Sequence, residues 1–194
     1  PRENSWLYEA TRCRAAFEAY GKLEKMPVET RKIVAGMGSD STDYFGGLGP
    51  SHQFGALLED DIASLDAPLR TMIPLERERE ISLAALDDYV FAVTELFGAA
   101  ITVASRLAGM KRPDSILPVN AKNRAGLEAC FGSKANTVGQ FVDLHEQIWE
   151  LEWFSASEPD DPLERQVWLN RVALLDVVFF GTLEGSDEMI GLES

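Results

Sequence analysis

The chain has 194 residues, of which 45% are hydrophobic and 26% charged, and a formal net charge of −14. This composition is typical of a globular protein and excludes a disordered chain or a fibrous repeat, and the length suits one buried core. The negative charge normally opposes binding to nucleic acids and anionic membranes. The longest apolar stretch, residues 96–105, is far shorter than the roughly 20 residues of a membrane span, so we expect no membrane partner.

Apolar residues at helical spacing predict amphipathic helices in the first half of the chain. The first helix covers about residues 6–20 behind an Asn or Ser cap, and a short second helix begins at Pro27. A glycine-rich loop is expected over residues 39–51. A third helix then runs from about Phe54 and ends at Pro68.

The longest apolar stripe predicts a central helix from about Ser82 to Ala108, around which the other helices pack. Gly98 within this stripe indicates a close approach of another helix rather than a break. The connection from residue 111 to 119 contains Pro113 and Pro118, which favour an extended backbone.

The second half of the chain carries clear helix boundaries. One helix begins at Asn120 and ends before Gly132, and a capping box at Thr137 and Gln140 begins the next. Asp161 and Pro162 begin a last, largely buried helix. The sequence therefore predicts an all-α, single-domain bundle of six to seven helices over residues 1–181, followed by a frayed acidic tail over residues 182–194.

The composition also bears on redox state and cofactors. Cys13 and Cys130 are isolated and fall within predicted helices, which indicates reduced thiols in a cytoplasmic protein rather than disulfides or a zinc site. His52 and His145 are too few for a three-histidine metal centre, and no phosphate-loop or dinucleotide fingerprint is present. We therefore expect no metal and no cofactor. The start at Pro1 is consistent with a processed piece of a longer protein.

The charge is unevenly distributed along the chain. Residues 106–134 carry six Lys or Arg and two acids, a net +4, between the segments 38–105 and 135–194 with net charges of −9 and −11. Polar side chains here, around an extended connection and a helix start, are candidate phosphate ligands. They are Lys111, Arg112, Asn120, Lys122, Asn123 and Arg124. A structural explanation stays open, because cations near helix C-termini interact with exposed carbonyl groups and others could pair with this protein's own acids.

Asp176 lies within the apolar run 172–180, where an ionised carboxylate is costly unless it is paired. The pattern predicts a buried ion pair, with Arg106 as a first candidate and Arg112 or Arg171 as alternatives. A catalytic acid is the competing interpretation.

Two further patterns bear on nucleic-acid binding. Residues 46–50 (GGLGP) partly resemble the hairpin of helix-hairpin-helix DNA-binding modules, but Ser51 and His52 stand where a lysine is common. Trp149, Trp153 and Trp168 are candidates for a wall that stacks on a base, although aromatic residues at helical spacing more often belong to the core.

Three segments, RLAGMKRPD at 106–114, NAKNR at 120–124 and WLNRVALLD at 168–176, together resemble a family of prokaryotic helical proteins associated with phage defence or restriction. The resemblance covers about the second half of the chain and transfers no catalytic residues. It implies that the basic connection and Asp176 act together and that nucleic acid is a partner.

The sequence thus leads to three functional hypotheses. The first is a helical recognition domain for a phosphate-bearing ligand, foremost nucleic acid, in a defence or DNA-processing protein. The second is an acidic protein-interaction or scaffold domain, including a DNA mimic, which rests on the net charge of −14. The third is a glycosylase-like helical enzyme with Asp176 or Asp114 as the acid.

Overall fold

The computed structural model of the chain describes residues 5–38, 44–47 and 52–181. All of its regular elements are helical, which confirms the predicted all-α class. In chain order the α-helices of these residues are α1 (Trp6–Tyr20), α2 (Val28–Val34), α3 (His52–Asp60), α4 (Ile62–Met72), α5 (Leu83–Thr94), α6 (Ile101–Lys111), α7 (Arg124–Phe131), α8 (Val138–Trp149), α9 (Pro162–Leu169) and α10 (Leu175–Gly181). Two 3-10 helices, Leu23–Lys25 and Glu152–Ser155, lie between them.

Several predicted helix boundaries are confirmed by the side chains that cap them. The Ser5 side chain accepts a hydrogen bond from the Tyr8 amide at the start of α1, and Thr137 does the same for Gln140 at the start of α8. Gly132 ends α7 in the left-handed conformation. Local capping chemistry is therefore enough to place these ends.

One hydrophobic core joins residues from α1 to α10. The predicted apolar stripe of α1 is confirmed, with Ala10, Cys13 and Phe17 buried. Among the described elements, α5 packs against α4, α6 and α8, while α6 also contacts α1 and α2. Helices α5 and α6 therefore lie at the centre of the packing.

The prediction of one long central helix is wrong. The stripe is divided into α5 and α6, and Gly98 between them has a φ of 87°. Helix α5 ends at Thr94 with Glu95 as its cap, and Gly98 takes up in the following connection a left-handed conformation that suits glycine. Because the chain turns here, α6 packs back onto α5, which a continuous helix could not do.

Two other long predictions also divide. The third predicted helix consists of α3 and α4, and α4 continues past Pro68 to Met72. The last predicted helix consists of α9 and α10, and the prediction that it is largely buried is wrong for α9, which buries none of its residues. Between them, the amides of Val172 and Ala173 donate to the Pro113 carbonyl and fix the turn.

Some sequence predictions fall on segments without described structure. The acidic tail over 182–194 lies outside the described residues, as do residues 48–51 of the glycine-rich pattern that resembles a DNA-binding hairpin. Both of these stay predictions. Cys130 is exposed rather than part of the core, whereas Cys13 is buried, and both thiols are free.

Candidate functional site

The six predicted phosphate ligands do not share a surface. Four of them are buried: Lys111, Arg112, Asn120 and Asn123. Arg124 is half-buried, and Lys122 is exposed at the start of α7. The placement of these residues therefore does not support a common phosphate site built from them.

The Arg112 guanidinium is the centre of a buried polar network. Its Nε and Nη2 atoms each lie 2.9 Å from a different oxygen of Asp114, a bidentate pair. The remaining N–H groups donate to Ser115 and to the backbone carbonyls of Pro74, Glu76, Arg77 and Arg79. Arg112 thus organises the loop between α4 and α5 and has no donor left for a ligand.

Lys111 and Arg106 both donate hydrogen bonds to carbonyl groups near helix ends. The Lys111 ammonium donates to the Leu69 carbonyl at 2.9 Å, within the last turn of α4. Burial lowers the pKa of Lys111 to about 8. Arg106 donates to the carbonyls of Ile33 and Val34 at the end of α2. These cations therefore satisfy carbonyl groups that have no partner within their own helix.

Asp176 is fully buried and accepts four hydrogen bonds. Oδ1 lies 2.7 Å from the side-chain amide nitrogens of both Asn120 and Asn123, and Oδ2 lies 2.9 Å from Trp6 Nε1 and 3.1 Å from the Phe45 amide. Burial raises the pKa of this carboxyl, and the four donors oppose the rise. Asp176 thus ties α10 to α1, to the segment 44–47 and to the turn before α7.

The predicted ion pair between Asp176 and Arg106 does not form as a direct contact. Both groups are buried, but they hold opposite sides of one short peptide segment. Arg106 Nη1 donates to the Tyr44 and Gly46 carbonyls, while Asp176 accepts from the Phe45 amide between them. Burial lowers the pKa of Arg106, and the charge of Asp176 acts against that through space.

The geometry of segment 44–47 explains one glycine in this arrangement. Gly46 has a φ of 73°, and a Cβ atom built on it would lie 2.4 Å from Asn120 Cβ. A side chain at this position would displace Asn120, which in turn holds Asp176. Gly46 therefore permits the close approach of the loop to the polar cluster.

Several buried titratable groups among the described residues are engaged within the fold or held in one protonation state. Asp176 has all four of its strong hydrogen bonds within the fold, and burial raises the pKa of the Cys13 thiol to about 12. Burial alone would raise the pKa of Asp114, but Arg112 and Ser115 hold it below its ordinary value. His145 is neutral, because burial lowers its pKa to about 4. No observation therefore favours the glycosylase-like hypothesis.

The histidine is fixed by two backbone groups. Its Nε2 atom accepts from the Leu117 amide at 3.0 Å, so Nδ1 carries the proton and donates to the Phe141 carbonyl. Within residues 5–38, 44–47 and 52–181, no group of three His, Cys, Asp or Glu side chains could hold a metal ion.

An exposed apolar groove lies on α9 and the preceding 3-10 helix. Its volume is about 540 Å³, and its lining is almost entirely apolar. Leu163 and Val167, one turn apart on α9, are 62% and 45% exposed, and Trp153 faces them with 37% of its surface exposed. Trp168, whose indole nitrogen donates to the Ala156 carbonyl at 2.9 Å, completes the wall.

The segment that contributes to this groove is rich in acids. Residues 150–164 contain six Asp or Glu and no Lys or Arg. Glu152, Asp160 and Glu164 are exposed among them. Glu158 pairs with Arg77 and Arg165, and Asp161 caps α9. Of these acids Glu164 lines the groove itself, and Arg171 is the cation of its lining.

The sequence interpretation missed this groove because its apolar residues were assigned to the core. The spacing of Leu163 and Val167 indicates one helical face but not what covers it. The acids at 150–164, with no Lys or Arg between them, indicated that this face lies in water. Trp153 and Trp168 line an open surface, whereas Trp149 lies at the edge of the core, with its indole nitrogen bonded to the Ser115 carbonyl.

Among the described helices, none is long and apolar enough to cross a membrane. Three comparisons with known proteins, against protein-family models, curated proteins and solved structures, gave no match.

Proposed function

We propose that this protein is an acidic protein-interaction domain that binds a cationic amphipathic helix of a partner in the groove of α9. The observation that carries the proposal is the exposed apolar groove formed by Trp153, Leu163, Val167 and Trp168, with Glu164 in its lining. Soluble proteins rarely leave contiguous apolar surface exposed unless it contacts a partner.

The shape and chemistry of the groove favour a helix. Helical partners insert apolar side chains from successive turns into grooves of this kind. Leu163 and Val167 present contacts one helical turn apart, and Trp153 stands opposite them. Aromatic residues of this type frequently dominate binding energy at interfaces.

Charge complementarity favours a positively charged partner. Glu164 lines the groove and five further acids lie in the same segment, residues 150–164, so Lys or Arg beside the apolar face of the partner would meet opposite charge. An acidic or neutral helix would lack this attraction. The overall charge of −14 increases the encounter rate with a basic partner in the same way.

The nucleic-acid hypothesis stays a prediction, and no observation favours it over this one. It requires an exposed cationic surface. Lys111, Arg112 and Arg106 of the basic segment are buried and bonded within the fold. Lys134 pairs with Glu128.

The proposal is tested with a model peptide of alternating Leu and Lys positions that forms a cationic amphipathic helix. Binding is followed by tryptophan fluorescence, since Trp153 and Trp168 line the groove, and by calorimetry. We expect saturable binding, loss of at least tenfold in affinity in V167D, and little change in V177D, whose side chain is similarly exposed on α10.

A peptide in which Glu replaces each Lys serves as the matched control. Equal binding of the two peptides, or equal loss in V167D and V177D, would contradict the proposal. Sedimentation of the protein alone is the second control, because a dimer that V167D abolishes would identify a second copy of this chain as the occupant instead.

A further inference from the structure

Two cavities share Arg77 and Asp114 in their linings, and the second also shares Arg171 with the apolar groove. The first, of about 200 Å³, is lined by Arg14, Arg77 and the acids Glu18 and Asp114. The second, of about 280 Å³, is lined by three arginines and two acids, namely Arg77, Arg112, Arg171, Glu80 and Asp114. Arginines therefore outnumber acids at the second cavity, in a chain with a net charge of −14.

Two of these arginines converge on one aromatic ring. The guanidinium carbon atoms of Arg77 and Arg171 lie 5.4 and 4.3 Å from the centroid of the Trp168 ring. Stacking of this kind holds a guanidinium in a fixed orientation while leaving its edge available for hydrogen bonds. Trp168 thus holds two cations close together at the second cavity.

Among the described residues, Arg171 has no carboxylate partner of its own. Its Nη atoms donate to the Trp168 and Phe154 carbonyls, and its Nε atom is buried with no hydrogen-bond acceptor within the same part of the chain. Asp114, the nearby acid, is already engaged in the bidentate pair with Arg112. Burial lowers the pKa of Arg171, and repulsion from Arg77 and Arg112 adds to this, whereas Asp114 opposes it.

The Arg77 guanidinium can exchange its present partner. Its ion pair with Glu158 is 3.4 Å long, and both side chains are about 30% exposed. Exposed pairs of this length contribute little free energy, on the order of 0–1 kcal/mol. An anion that meets Arg77 and Arg171 together would therefore replace a weak contact with two charge-assisted ones.

Part of the lining of the second cavity is apolar and aromatic. Trp149 and Phe154 line it with ring planes 28° apart and centroids 6.2 Å apart, beside Ile81, and the Arg171 guanidinium carbon lies 5.1 Å from the centroid of the Phe154 ring. A flat ring of a ligand could contact this wall while its anionic group meets the arginines. The volume of about 280 Å³ suits a ligand of mononucleotide size or smaller.

We propose that the second cavity is a binding site for a small organic phosphate, with the phosphate on Arg77 and Arg171 and a flat ring against Trp149 and Phe154. The site differs from the groove of the proposed function, with which it shares only Arg171 among the lining residues. It retains the phosphate chemistry expected from the sequence but moves it away from Lys122, Asn123 and Arg124.

Phenyl phosphate is the probe, and binding is measured by calorimetry at low and moderate salt. We expect saturable one-site binding that weakens at least tenfold in R77Q. R79Q is the matched control, because Arg79 lies on the same loop with its side chain exposed and lines neither cavity. R77K preserves the charge but not the planar fork, so an intermediate loss is expected.

Further arms separate the alternatives. Phenol tests the ring alone, inorganic phosphate the anion alone, and benzoate a carboxylate in place of the phosphate. Absence of saturation with phenyl phosphate, equal loss in R77Q and R79Q, or equal affinity for phenol would overturn the proposal. Tighter binding of benzoate than of phenyl phosphate would overturn the choice of phosphate.

The groove variant V167D distinguishes this site from the proposed function. It should leave phenyl phosphate binding unchanged while it abolishes peptide binding. Loss of phenyl phosphate binding in V167D would contradict two separate sites. Failure of the cationic peptide to bind wild-type protein, with phenyl phosphate still bound through Arg77, would reject only the proposed function.

Discussion

The basic segment 106–134 and the acidic segment 150–164 differ in how their charged side chains are exposed to water. In the first, Arg106, Lys111 and Arg112 are buried and bonded to backbone carbonyls. In the second, acids remain in water beside the exposed apolar side chains of Leu163 and Val167. A run of like charge in the sequence therefore does not indicate a surface, because the partners of each charge decide where it lies.

The difference has a chemical reason. Helix C-termini and irregular loops leave carbonyl groups without donors, and Arg and Lys supply several donors on a long apolar stem. Carboxylates accept only, so a buried one requires a dedicated set of donors, as Asp176 has in Asn120 and Asn123. Both kinds of charge therefore lie inside this fold, each with its own partners: the cations Arg106, Lys111 and Arg112 and the acids Glu9, Asp66, Asp114 and Asp176.

The largest loss of unfolding free energy is expected for R112M. This substitution removes the partner of buried Asp114 and leaves the carbonyls of the loop between α4 and α5 unsatisfied. Loss of one partner of a buried pair costs about 3–5 kcal/mol of unfolding free energy. Urea denaturation measures the loss.

R79M is the control for this prediction, because Arg79 makes an exposed ion pair with Glu76, and its effect should stay below about 0.5 kcal/mol. The double variant R112M/D114L removes both charges and should recover part of the stability. Similar small losses in R112M and R79M would show that Arg112 is not part of the structural framework.

His145 predicts an acid-dependent loss of stability. Its folded pKa of about 4 is below the ordinary histidine value of 6.5, so the unfolded chain binds the proton first as the pH falls. The contribution of neutral His145 to the free energy of unfolding is fully present above pH 6.5. It decreases between pH 6.5 and 4, by roughly 3 kcal/mol in total.

Thermal and urea unfolding over this range would measure the effect in wild-type protein and in H145Q. Glutamine can donate to the Phe141 carbonyl and accept from the Leu117 amide without titrating. The variant should therefore show a shallower pH dependence. Superimposable pH profiles would rule out His145 as the titrating group.

The polar cluster at Asp176 is expected to contribute less per residue. N123A removes donors to Asp176 and to the Pro118 carbonyl, and an acceptor for the Asn120 amide. The expected loss of unfolding free energy is about 1–3 kcal/mol. N136A provides the exposed comparison, and a loss in N136A as large as in N123A would contradict the role of the buried cluster.

The smallest stability effect is expected in the groove. L163A removes an exposed side chain from a helix with no buried residues, so unfolding free energy should change by less than about 0.5 kcal/mol. Affinity for the cationic Leu/Lys peptide should nevertheless fall. A large loss of stability in L163A would identify Leu163 as part of the core and would remove the sharpest contrast with Arg112.

Local signals predicted the ends of several elements well. The caps at Ser5, Thr137 and Asp161 and the stop at Gly132 depend on neighbouring residues only, and all four are confirmed. Gly98 was misjudged because a glycine within an apolar stripe fits both a close helix contact and a break. The decision depends on whether α6 packs back onto α5.

Site residues were harder to predict, since their roles arise from distant parts of the chain. Asp176 was correctly expected to be buried with partners, but its donors come from Trp6, Phe45, Asn120 and Asn123. No sequence pattern pointed to Arg77 as a site residue, because its role in the proposed phosphate site follows from its position over the ring of Trp168. The direction of a side chain toward a cavity is not encoded by its neighbours in sequence.

The sequence by itself determined the helical class, most capped helix ends, the apolar face of α1 and the presence of an unusual basic segment. Tertiary structure alone decided that Arg106, Lys111 and Arg112 lie inside while Leu163 and Val167 lie outside. Helix formation follows from interactions within a few residues, which sequence patterns record. Burial follows from which elements meet. In this protein the buried cations donate hydrogen bonds to carbonyl groups at distant helix ends and loops, which would otherwise lack a partner.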